Sequence, residues 1–453
     1  MDTCANCRKT AEEAQPWRGL RCRGMVRRGC GSAAAACSAG NLSGSFAVPH
    51  DQGYAVSPNR PSDLRQSFLP FADHEYHDRL EGLHEIMDLH GLDAVVLTST
   101  DNVAYYAGFL DGAAGSPFAC VVTQTDCVTI SAGIATGHPF HRSIGEAIAY
   151  PDFERDGLWR AVALVTGEGK AVGCEADNLT LAQAEAFNTF LRPRRGMDIA
   201  PATLQQRLTK SPAEIALLRQ AAEVADLGAQ VVRDAIRVGV TEREVSIAGR
   251  DAMERAIAAR FPDAEYQGSR AWLQSGPNAG GLRNPVTNRK LRQGDTLRFT
   301  CLPMLDGYGT PLERTLFLGM ADAASLRVWQ GAVDLLAYAG DLLTPGAICA
   351  EIAAKLDVFL AERDLLPCRT GSYGHGLDGP VSAWGRDRAL DLRGDNATVL
   401  EPGMVVALAP TLVVPAASPG AGCYRQGDSF VVTEAAPERL GHFPNGPACK
   451  AEG

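Results

Sequence analysis

Leu312-Glu313-Arg314-Thr315-Leu316-Phe317-Leu318 places a carboxylate and a guanidinium side by side in an apolar strand motif whose strand-like segment is read at 316–318. Charges in such a run need partners, so one reading pairs Glu313 with Arg314 or another arginine. The other makes Glu313 an anchor for a cationic group or a carboxylate base. Residues 295–303 read as a strand just upstream. Further upstream lie two helix starts. Ser211-Pro212-Ala213-Glu214 is a capping box with proline at the first helical position, opening a helix to about residue 237. Thr241-Glu242-Arg243-Glu244 repeats the device for a helix ending near residue 260. Downstream, the spacing predicts helices over 324–343 and 347–362, then apolar strands at 404–415 and 429–432. Two helices, strands, two helices, strands is the order of two α–β half-repeats, although no close internal sequence repeat accompanies it.

The first half opens as α/β. Leu80, Leu83, Ile86 and Met87 give helical spacing over 74–90, and the apolar run 94–97 reads as a buried strand. Further strands are expected at 118–122, 127–131 and 161–165, with a helix over 181–190. Residues 192–196 interrupt the periodicity, residues 200–208 lead into the next helix, and a domain boundary is placed near 205. Residues 1–60 show no core periodicity and are read as a disordered extension or an over-long start.

The chain has 453 residues, 45% hydrophobic and 21% charged, more than the roughly 250–300 at which one core usually splits. Two domains follow: 61–205 and 206–453. A net charge of −10 excludes a typical phosphate-backbone binder, so no nucleic-acid partner is expected. No run of about 18 apolar residues occurs, so no membrane span is expected. Five of the thirteen cysteines lie in the first 37 residues, and the others lack the spacing of a disulfide framework or zinc site, which suits a cytoplasmic protein. No histidine lies between 142 and 374, leaving His375 and His442 for the second half.

Three segments carry particular text: 274–286, 294–315, and Gly374-His375-Gly376 through Arg386 followed by Leu400-Glu401-Pro402-Gly403-Met404. Together they resemble the pita-bread superfamily of methionine aminopeptidases, prolidases, aminopeptidase P and creatinase. Residues 284–290, 312–318 and 420–425 look most like the creatinase branch. The resemblance implies an N-terminal α/β domain followed by a pita-bread α+β domain, a small-molecule substrate and a homodimer. The superfamily's peptidases hold two metals with five ligands, and the matching positions here are Thr300, Pro311, His375, Ala409 and Gly427. One histidine cannot hold a dinuclear site, so neither a metal nor another cofactor is expected.

Creatinase is itself metal-independent: a histidine shuttles a proton, glutamates bind the guanidinium and arginines hold the carboxylate. Here the resemblance places Arg283 at the shuttle histidine, and an arginine stays protonated at any working pH. One guanidinium-binding glutamate matches Glu313, the other Ala409. The loop that crosses the dimer matches 114–116, without its ring and charge, and a creatinase tyrosine matches Gly309. Creatine is therefore not the expected substrate, and the pocket is expected to be wider. His375 is the expected general acid/base, against the alternative of a merely structural histidine. Glu313 is grouped with it as catalytic. Arg386 and Arg283 are expected to recognise an anion, with Arg425, Tyr424, Gly309, Ala409 and Trp272 lining the substrate. Cys301 and Cys423 lie in the same motifs without a histidine beside them in sequence. The expected activity is hydrolysis of a C–N bond of amidine, guanidine or amide type in a nitrogen-containing carboxylate. A biosynthetic lyase, isomerase or cyclase, and a non-catalytic binding module, are the alternatives.

Overall fold

The structure, a computed structural model, describes residues 55–56, 69–110, 116–135, 142–151, 153–377, 389–447 and 449–450. The expectations for residues 1–54, Ala114, Gly115 and Arg386 lie outside them.

Strand β1 (Ala55–Val56) and helix α1 (Asp73–His90) come first, then β2 (Ala94–Leu97) and α2 (Thr100–Ala107). Next are β3 (Ala119–Thr123), β4 (Cys127–Ala132) and β5 (Glu146–Tyr150). Helix α3 (Gly157–Thr166), β6 (Ala171–Cys174), α4 (Leu181–Leu191), β7 (Arg195–Asp198) and α5 (Ala200–Leu208) complete the first half. The strands form one mixed sheet in the order β1-β5-β4-β3-β2-β6-β7. It is covered on both faces. Val96, Val121, Ile130 and Ile148 pack against α3 and α4, while Val95, Leu97 and Val122 pack against α1. A sheet buried on both sides needs unbroken apolar strands, which is why 94–97 is continuous rather than alternating. The strand expected at 161–165 is the centre of α3 instead, because a short apolar run fits a helix buried on a sheet equally well. The break read at 192–196 runs into β7, a largely exposed edge strand with no apolar run to announce it.

The second half repeats one plan. Helices α6 (Pro212–Ala235) and α7 (Glu242–Arg260) lead to β8 (Arg270–Ser275), β9 (Thr296–Leu302) and β10 (Leu312–Leu318). Both helices begin on the expected capping boxes, Ser211 with Glu214 and Thr241 with Glu244. Helices α8 (Ala323–Asp341) and α9 (Cys349–Ala361) then lead to β11 (Gly374–Gly376), β12 (Val405–Leu408), β13 (Thr411–Val414), β14 (Gly422–Arg425) and β15 (Asp428–Val431). Strands β16 (Glu438–Arg439) and β17 (Cys449–Lys450) close the chain. One sheet runs β17-β10-β9-β8, a second β11-β12-β15-β16, and β13 pairs with β14. The single strand expected over 404–415 is two strands in different sheets, divided at Ala409-Pro410, where proline has no N–H to continue a ladder.

A buried arginine joins the halves. Arg79 of α1 donates to Glu75 at 2.9 Å and to the Tyr105 carbonyl at 2.9 Å, and its guanidinium stands 4.3–5.2 Å from the ring centres of Phe71, Tyr76 and Tyr105. It lies 3.7 Å from Glu214, the buried capping-box glutamate of α6, which accepts the Tyr308 hydroxyl proton at 2.8 Å. Burial beside that carboxylate pushes the Tyr308 hydroxyl's pKa well up, so it remains a donor. Arg79→Ala should leave Glu214 in a desolvated site without its cation and cost about 3–5 kcal/mol. Equilibrium urea unfolding measures this, and a loss under about 1 kcal/mol would show that the cluster is not a clamp.

Candidate functional site

A cavity of about 880 Å³ opens over the face of β8, β9 and β10 and is walled by β11 and the β13–β14 pair. Strand alternation chooses what lines it. On β8, Arg270, Trp272 and Gln274 face in; on β9, Arg298 and Thr300; on β10, Glu313. Register sets them in rows, with Trp272 opposite Thr300 opposite Glu313, and Gln274 opposite Arg298. The intervening residues of β9 and β10, Phe299, Cys301, Leu312 and Leu316, belong to the core beneath α6 and α7.

Glu313 is almost fully buried and pairs with the Arg425 guanidinium, while Thr300 donates its hydroxyl at 3.3 Å. Its main chain exchanges two hydrogen bonds with Gly427. A Cβ added at Gly427 would meet Glu313 Oε2 at 3.0 Å and the Leu408 carbonyl at 3.2 Å. The Glu313 side chain thus occupies the space above that glycine. The neighbouring Arg314 faces the other way, into the core, and donates to Asp428 at 2.8 Å and to the carbonyls of Gly427, Phe443 and Pro444.

His375, on β11, is 6% exposed and also borders the cavity. Its Nδ1 lies 3.1 Å from the Gly376 carbonyl oxygen. A carbonyl only accepts, so Nδ1 carries the proton, and in the neutral ring Nε2 holds the lone pair. Asp391 forms an isolated bridge with His375 and lines the cavity too, 3.7 Å from Arg393.

The loop before β9 is held by Glu242, at the start of α7. Its buried carboxylate accepts from Ser275 N and Oγ, Asn278 Nδ2, and Thr287 N and Oγ1, all at 2.6–2.9 Å. Arg289 adds a two-bond pair with Asp295 at 2.6 and 2.7 Å. The particular text of 284–290 is therefore largely a loop-fixing device, and the loop presents Arg283 at the cavity rim. Ala279-Gly280 lies in a 3₁₀ turn in this loop, with no strand-to-helix phosphate cradle around it.

The structure brings His375, Glu313, Arg283, Arg425, Ala409 and Trp272 to this one cavity. It does not bring Tyr424 or Gly309. Tyr424 precedes Arg425 on β14 and so points to the opposite face, where its hydroxyl donates to the Gly420 carbonyl at 2.9 Å and its ring packs near Phe317. At Gly309 a Cβ would strike the Pro303 carbonyl at 2.6 Å, so the glycine serves a tight turn and does not widen the pocket. Sequence reading missed Arg270, Arg298, Asp391 and Arg393, all cavity residues. The signal for the first two was the polar residue at every second position of β8 and β9.

The five positions matched to metal ligands offer a hydroxyl, a pyrrolidine ring, an imidazole, a methyl and a hydrogen. Among the described residues, no three His, Cys, Asp or Glu side chains group closely enough to hold a metal ion. The residues present do not fit a dinuclear metal centre. Burial pushes the thiols of Cys301 and Cys423 upward, against nucleophilic use of either.

Comparison with known proteins agrees with this architecture. Residues 79–209 match the creatinase/prolidase N-terminal domain and residues 216–434 match metallopeptidase family M24. The chain is 41% identical over 381 residues to creatinase of Bacillus sp. (strain B-0618), covering 83% of this chain and 93% of that protein. It is 25% identical over 413 residues to ectoine hydrolase of Halomonas elongata, covering 84% and 98%. Among solved structures, the prolidase of Pyrococcus horikoshii OT3 superposes with a TM-score of 0.70 at 19% identity, covering 81% of this chain and 99% of that one.

Gly427→Ala should push Glu313 away from Arg425 and cost about 1–3 kcal/mol through overpacking. Thermal unfolding would register it, and an unchanged midpoint would mean that Glu313 is free to shift. Iodoacetamide at neutral pH should leave Cys301 and Cys423 unmodified in the native protein, as read by peptide mass mapping.

Proposed function

The chain belongs to the creatinase-like branch of metallopeptidase family M24, and from that premise we propose that it is a metal-independent hydrolase of a C–N bond in a nitrogen-containing carboxylate other than creatine. The observation that carries the reading is the donor set: a single imidazole beside the Glu313–Arg425 pair, where a dinuclear centre needs five ligands. Water would attack the carbon of the C–N bond while Nε2 of His375 takes its proton. The same proton then passes to the leaving nitrogen, the C–N electron pair going with it. Guanidinium groups around the cavity favour the negative charge that develops on the carbonyl-type oxygen.

Against creatine stand three residues. Ala409 supplies no carboxylate where the resemblance calls for a second guanidinium partner. Glu313, the other, is already held by Arg425. Arg283 adds a positive charge at the rim, which repels a guanidinium. Arg386 remains part of the reading as an anion-binding residue. A homodimer and a cytoplasmic location belong to it as well; among the described residues, no helix is long and apolar enough to cross a membrane.

His375→Ala should lower kcat by about 10²–10⁴-fold while changing ligand affinity little. Dialysis against a chelator should leave the rate unchanged, and product formed in ¹⁸O-labelled water should carry the label. Activity lost to the chelator and restored by a divalent metal would overturn metal independence. Turnover without label would favour a lyase, isomerase or cyclase.

A further inference from the structure

The cavity is unbalanced in charge. Among the described residues five arginines line it, Arg270, Arg283, Arg298, Arg393 and Arg425, against two carboxylates, Glu313 and Asp391. The pairings show which charges remain. Arg425 is matched by Glu313, and Arg393 lies 3.7 Å from Asp391. Arg283 and Arg270 make no ion pair with a described residue.

Arg298 is the decisive member. It is 3% exposed, and its hydrogen-bond partners among the described residues are all neutral: the Gln274 amide oxygen, the Gly281 and Leu282 carbonyls at 2.8 and 2.9 Å, and the Cys423 sulfur at 3.0 Å. Those bonds give each of its nitrogens a partner but do not cancel its charge. A buried cation with hydrogen bonds and no counter-ion is costly unless an anion arrives beside it. Arg283 and Arg270, at the rim, extend the same positive field outward. One carboxylate would neutralise one of these three guanidinium groups and leave two.

Resting on the proposed C–N hydrolase reading, we infer that the substrate is a small dianion, a dicarboxylate carrying a neutral ureido or acylamino group, rather than a zwitterionic guanidino acid. One carboxylate lies toward Arg298 at the base and the other toward Arg283 and Arg270 at the rim. The neutral C–N group then sits between them, along the wall that carries His375. A neutral scissile group also explains how the site tolerates alanine at position 409, since no guanidinium needs a second anionic partner there.

The test is calorimetric titration of the intact protein with three matched probes: N-carbamoyl-L-aspartate, N-carbamoylglycine and guanidinoacetate, with inorganic phosphate as a bare dianion. N-carbamoyl-L-aspartate should bind at least tenfold more tightly than either monocarboxylate and more tightly than phosphate, with an affinity that falls steeply with salt. Arg283→Gln should cut that preference at least threefold without moving the thermal midpoint. Since Arg283 is exposed, this variant avoids the folding risk of changing Arg298. Equal binding of the two carbamoyl acids, tightest binding of guanidinoacetate, or tighter binding of phosphate than of the dicarboxylate would overturn the inference. Selective binding of the dicarboxylate without cleavage of any carbamoyl acid would sink the hydrolase reading and leave the dianion inference standing. Cleavage with no charge preference would do the reverse.

Discussion

Two adjacent residues of opposite charge on one strand, Glu313 and Arg314, govern the second half of this protein. Because β10 alternates its side chains, one charge faces the cavity and the other the core, and each is answered from the same short segment, Glu313 by Arg425 and Arg314 by Asp428. The backbone between those partners bonds to Glu313 itself through Gly427. These crossed pairs tie the β8–β10 sheet to the sheet of β15. A slip of one residue would set a carboxylate in the core and a guanidinium in the cavity, each without its partner, so the register is fixed electrostatically as well as by packing.

The same arrangement shapes the site. Glu313 fills the space above Gly427, and Arg425 closes over it, so a floor made of an ion pair stands among the positions matched to metal ligands. Around this floor the loop anchored by Glu242 supplies a rigid rim, and Arg298 supplies a buried charge held by neutral groups. Under the proposed function such a site would act through acid–base transfer by His375 and electrostatic stabilisation by arginines, both of which depend on fixed positions.

Much of the fold was legible because the relevant rules are local. The capping boxes at Ser211 and Thr241 begin their helices as expected, and the apolar run 94–97 is a buried strand. Where local rules were ambiguous the reading failed. The apolar residues 161–165 form a helix because the sheet already had its strands and needed a cover, and β7 is an edge strand with little apolar signal. The site was partly legible: His375, Glu313, Arg283, Arg425, Ala409 and Trp272 share the cavity. Tyr424 lies outside the cavity although it adjoins Arg425 in sequence, because neighbouring strand residues point apart.

The sequence by itself determined the family resemblance, the loss of the metal-ligand side chains and the excess of small residues at matched positions, since those are matters of which atoms are present. Tertiary structure alone decided that Arg270 and Arg298 stand beside Arg283 and Arg425, and that Asp391 lies across from His375. Net charge over the whole chain is −10, yet the charged residues that line this cavity are mostly cations. Electrostatic potential depends on distances between charges brought from separate strands and loops, and no count along the chain contains those distances.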